Sequence, residues 1–110
     1  MAIKNSAIGP TNTEIYTSSG NNAITTIIVC NTVTFNPATP TADESKLYLW
    51  AVPSGESPTN LNLIVNGLPI PAGETVSFDQ EKMVLANGDK LVARSDSPAN
   101  LVVTVSTLAV

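Results

Sequence analysis

Residues 71–91 read PAGETVSFDQEKMVLANGDKL, two short apolar runs bracketed by turn chemistry. Pro71 fixes one backbone angle and Gly73 supplies another that other residues resist, so PAGE is a turn that launches a strand. Thr75-Val76-Ser77-Phe78 then alternates with the period of a half-buried strand, which places Val76 and Phe78 inward. After a polar break comes a second run, Lys82–Leu85. Asn87-Gly88 follows, a dipeptide suited to positive φ in a tight turn. The stretch is rich in turn signals and holds no reactive grouping.

The rest of the chain repeats this pattern. Val, Ile and Thr dominate, Pro and Gly punctuate at intervals of about 8 to 12 residues, and no window sustains the apolar spacing of an amphipathic helix. Strands are predicted over Glu14–Thr17, Ala23–Phe35, Lys46–Val52, Leu61–Val65, Thr75–Phe78, Lys82–Leu85, Lys90–Ser95 and Leu101–Leu108. The fold class is therefore all-β, a sandwich or barrel of about seven or eight strands. Residues 1–110 form one domain, and residues 1–12 are a possible N-terminal arm. A chain of this length buries roughly two thirds of its unfolded surface, enough for a core without staples. The segment Asn36–Ser45 is long and polar and holds two prolines, and is the expected mobile excursion.

Strand faces follow in part. Leu101, Val103 and Val105 alternate with more polar neighbours and are assigned to the core. Ile27, Val29, Val33 and Phe35 share a face with Asn31, which then needs hydrogen-bond partners as a buried amide. In Lys46–Val52 both faces are apolar, with Leu47, Leu49 and Ala51 on one and Tyr48, Trp50 and Val52 on the other. One face belongs to the core, and the other is covered or adhesive. Tyr48, Trp50 and Val52 are the candidate interface set, because Tyr and Trp offer large apolar area with a polar tip. Two alternatives stay open: this set points inward while Leu47 and Leu49 lie under a loop, or Tyr48 and Trp50 stack on sugar rings.

Composition limits the chemistry. The chain carries five basic and nine acidic residues, for a net charge of −4, and the basic residues are scattered. Nucleic acid is not an expected partner, since binding it takes a clustered basic face. No run approaches the roughly 18 apolar residues of a membrane span, and MAIKNSAIGPTN lacks the apolar core of a signal peptide. The single cysteine, Cys30, cannot form an internal disulfide, and its apolar neighbours suggest a buried thiol.

With no histidine there is no imidazole base, no Ser-His-Asp arrangement and no ordinary zinc site. Glu74, Asp79, Glu81 and Asp89 sit in or beside turns, where a solvated carboxylate is the default over a paired acid and base. The spacing of Asp79, Glu81 and Asp89 lacks the alternating oxygens and glycine of a calcium loop. No catalytic residue, cofactor or metal is assigned. Only 13% of residues are charged, against about 25% for a typical soluble domain. Either this is simply a Thr- and Asn-rich β domain of the extracellular or virion type, or much of its surface is occupied by neighbours.

The order of local marks resembles that of small virion structural proteins of tailed bacteriophages, particularly those of marine cyanobacteria. The marks are Ile15–Ser18, Cys30–Thr32, Tyr48–Trp50, Pro69–Thr75, Glu81–Leu91 and Thr104–Val110. The resemblance implies a compact antiparallel β-sandwich, immunoglobulin-like or jelly-roll-like. It further implies a non-enzymatic head-decoration or tail-associated subunit, present in many copies and assembled in the host cytoplasm. Its expected partners are other virion proteins and copies of itself, as a homo-oligomer. The alternative function is a receptor- or glycan-binding module.

Overall fold

The computed structural model describes residues 2–79, 83–96 and 99–110. Among these it contains nine strands and no helix: β1 (Ala2–Ile8), β2 (Thr13–Thr17), β3 (Asn22–Asn31), β4 (Ser45–Val52), β5 (Leu63–Ile70), β6 (Thr75–Phe78), β7 (Met83–Leu85), β8 (Lys90–Ser95) and β9 (Leu101–Ala109). One sheet has the order β1-β9-β3-β6, with β7 continuing along the edge of β3 that β6 begins, and the other has the order β2-β8-β4-β5. Every pairing is antiparallel.

The two sheets bury one cluster between them. Ile24, Ile27 and Val29 of β3 and Leu101, Val103 and Val105 of β9 meet Leu47 and Leu49 of β4 and Leu91 and Ala93 of β8. This is a sandwich-like layering, with side chains of alternate residues filling the interior. Val76 and Phe78 lie against the cluster, as their alternation predicts. β3 holds its inward set despite a register shift between Ile24 and Thr26, a bulge that keeps both Ile24 and Ile27 in the core.

Successive strands mostly cross between the sheets, so the connecting loops collect at the two ends. At one end the backbone N–H of Ser95 donates to Gly9 O and that of Thr32 to Asn100 O, joining three connections. Asn31 completes this end. Its side chain is 1% exposed and its amide donates to Asp43 O at 2.8 Å and Ile70 O at 2.9 Å, while its oxygen accepts from Val33 N at 3.1 Å. The expected buried amide is thus fully partnered, and it ties β3 to the loop before β4 and to the last residue of β5. At the opposite end Asp89 caps two turns, accepting from Ser54 N and Ala86 N at 2.9 Å each.

Several expectations are corrected. β3 stops at Asn31, and Phe35 is exposed in the following loop, because the Asn31 side chain takes the Val33 N–H out of the ladder. Residues 2–8, where no strand is predicted, form one that pairs with β9 along its whole length. β5 runs on through Gly67 and Pro69 to Ile70, because it is an edge strand where a bulge and a missing N–H are tolerated. At the Asn87-Gly88 turn only Gly88 takes positive φ, 87°. Cys30 is half-buried and not enclosed, since it points to the face opposite Val29 and Asn31.

Candidate functional site

Two outer faces compete as the functional surface. The first lies on β2-β8-β4-β5 and carries the sequence-predicted trio. Leu47 and Leu49 point into the core, so Tyr48, Trp50 and Val52 point out, which removes the reading in which the trio is inward. They are nevertheless covered within the chain: Trp50 is 8% and Val52 2% exposed, clustered with Val92 against Tyr48 and Leu63. The trio leaves little apolar area open.

Arg94 of β8, opposite Tyr48, finishes this cluster. Its guanidinium carbon stands 4.2 Å from the centre of the Tyr48 ring and 5.8 Å from that of Trp50, and the two rings stack at 6.3 Å. The ring faces attract the cation. Asp96 accepts from the Tyr48 hydroxyl at 3.0 Å, and its other oxygen lies 3.8 Å from Arg94 Nε. Gly67 of β5 is part of this fit: its φ is 74°, and a Cβ there would come within 3.3 Å of the Tyr48 oxygen. Nearby, Lys90 pairs with Glu14 at 3.5 Å. Charges of both signs surround the aromatic cluster.

The second face lies on β1-β9-β3-β6, and sequence reasoning missed it. Strand pairing lines up its outward residues in rows. Ala7, Val102, Cys30 and Thr75 form one row, and Asn5, Thr104, Ile28 and Ser77 form the next. Further along, Ile3 lies opposite Ser106, and Leu108 and Val84 flank Ala23. None of these residues is charged. Four of the chain's exposed large apolar side chains, Ile3, Ile28, Val84 and Leu108, are gathered here, with Ile3 at 68% exposure. Two of its hydroxyls are partnered within the face: Thr104 donates to the Asn5 side chain at 2.8 Å, and Thr25 to the Ser106 hydroxyl at 3.0 Å.

Among the described residues Glu74, Asp79 and Asp89 do not come together at one place. Asp89 is committed to two turn amides, and Glu74 and Asp79 flank the two ends of β6, while Glu81 lies outside the described residues. Among the described residues no group of three or more His, Cys, Asp or Glu side chains is placed to hold a metal ion. The signal for the second face was the low overall charge. The residues that form it lie far apart in the chain, and only the register brings them together. In comparison with known proteins, no family model, no curated sequence and no solved structure matches this chain.

Proposed function

We propose that this chain is a non-enzymatic structural subunit of a tailed-phage particle, a multi-copy head-decoration or tail-associated component that works through protein–protein contacts. The observation that carries the reading is the outer face of β1-β9-β3-β6, whose strand-paired outward residues, among those described, are all uncharged. A broad face of apolar and neutral polar side chains, with the Thr104 and Thr25 hydroxyls satisfied internally, loses little by leaving water and is suited to being covered by protein.

The strand order supports the reading. We take β1-β9-β3-β6 against β2-β8-β4-β5 as a jelly roll, with β7 an extension of the β6 position. Immunoglobulin-type sandwiches keep their first two strands side by side in one sheet, whereas here β1 and β2 lie in different sheets. Jelly rolls serve in viral capsids, and also in lectins and cupins, so the order alone does not choose the function. The glycan-binding alternative needs an open aromatic platform, and the covered Trp50 and the Arg94 cation over Tyr48 count against one.

Quantitative mass spectrometry of gradient-purified particles tests the proposal. The expected result is co-purification at a fixed, multi-copy ratio to the other particle proteins. If the protein stays in the lysate and is absent from particles, the structural role is wrong.

A further inference from the structure

We infer that the uncharged face of β1-β9-β3-β6 is a self-association surface, and that its occupant is the same face of a second copy related by a two-fold axis. The inference rests on reading that face as a contact surface, and it adds the identity of the partner.

Charge argues for a second copy. The rows Asn5–Thr104–Ile28–Ser77 and Ala7–Val102–Cys30–Thr75 offer no counter-ion of either sign. A partner that brought Lys, Arg, Asp or Glu onto them would bury that charge unpaired, which is strongly unfavourable. The partner must therefore be neutral over the same area, and a second copy meets this condition by construction. It is also the usual solution, since two-fold homodimers use one self-complementary patch on both subunits.

Size argues the same way. β1, β9 and β3 are 7, 9 and 10 residues long and β6 and β7 add 4 and 3, which at strand spacing gives a face of about 520 Å² per copy. Doubled, this is roughly 1,000 Å², at the threshold for a specific interface. The hydroxyl of Thr104 already has its Asn5 partner, so it needs nothing from the second copy. Ile28 and Thr104 pair across β3 and β9, the inner strands of this sheet, so a lysine at either position falls within the covered area.

Sedimentation equilibrium over a concentration series tests this, together with the rate of Cys30 alkylation. Cys30 is the only cysteine and lies within the face, so it reports cover directly. The wild type is expected to sediment as a dimer, with alkylation slowing as the dimer fills. Ile28→Lys and, separately, Thr104→Lys should raise the dimer Kd at least about a hundredfold, since each buries a charge for which the opposing face offers no counter-ion. Both are outward positions, and circular dichroism and melting should show that the monomer still folds. A wild type that is monomeric throughout, or a dimer that survives both lysines with Cys30 still reactive, would overturn the inference. A monomeric subunit that is nevertheless built into particles would overturn only the dimer. A dimer absent from particles would overturn only the phage-subunit reading.

Discussion

Asn31 is the residue whose replacement tests the architecture most directly. Leucine has the same branched skeleton, though a bulkier one, and removes all three side-chain hydrogen bonds, to Asp43 O, Ile70 O and Val33 N. At about 1 kcal/mol net for each bond, Asn31→Leu should cost about 3 kcal/mol. At about 4 °C per kcal/mol for a chain of this length, Tm should fall by about 12 °C. Thermal and urea unfolding measure both quantities. A loss below about 1 kcal/mol would mean that the groups tied by Asn31 find other partners, and that the amide does not hold the loop end together.

Asn31→Asp sharpens the test through pH. An aspartate keeps an oxygen for the Val33 N–H but directs its other oxygen at two carbonyls in a site 1% exposed. Burial and the two carbonyls disfavour the anion, so the folded-state pKa rises above the unfolded value. The folded state then binds the proton more tightly. Relative to wild type, the variant is therefore most stable below the unfolded carboxyl pKa and loses stability as pH rises through the raised folded value. Taking the difference from wild type at each pH cancels the other carboxylates. A stability gap that stays flat, or narrows as pH rises, would refute the assignment.

Trp50→Ala should cost about 3–5 kcal/mol in chemical unfolding, since the side chain is 8% exposed in its own chain. A stable Trp50→Ala protein with reduced assembly would instead make the Tyr48, Trp50 and Val52 trio an interface. Neither reductant nor chelator should move Tm, because the apolar core alone holds the fold. A drop of many degrees with chelator would place an ion among the acidic residues.

What could be read from the sequence depended on how local the determining physics was. β6 and β8 match their predicted spans because each starts beside turn chemistry, Pro71 to Gly73 for one and Asn87-Gly88 for the other. The β9 alternation was clear because Leu101, Val103 and Val105 all face one core. β1 was missed because a strand on the sheet edge buries little, and only Ile8 of its seven residues is buried. Phe35 has high strand propensity, yet a hydrogen bond from four residues back ended the strand before it. Lys46–Val52 was ambiguous because both its faces are apolar, and the choice is made by β8 and β5, which supply Val92, Arg94 and Leu63 to the outer side.

The two outer faces answer different demands, and this explains why a chain with so little charge keeps it where it does. Glu14, Lys90, Arg94 and Asp96 lie on the outside of β2-β8-β4-β5, within the ion pairs Lys90–Glu14 and Arg94–Asp96, around an aromatic cluster that the chain covers itself. Charges there cost nothing while that side stays wet. On the outside of β1-β9-β3-β6 each such charge would need a partner on whatever covers it. Hydroxyls avoid that requirement only if they are already satisfied, since a lone one would pay its own desolvation. Thr104 and Thr25 are satisfied by Asn5 and Ser106. If the proposed contact forms, the polar atoms already satisfied within that face are the ones least costly to remove from water, and the side bearing the ion pairs is the side left to face solvent.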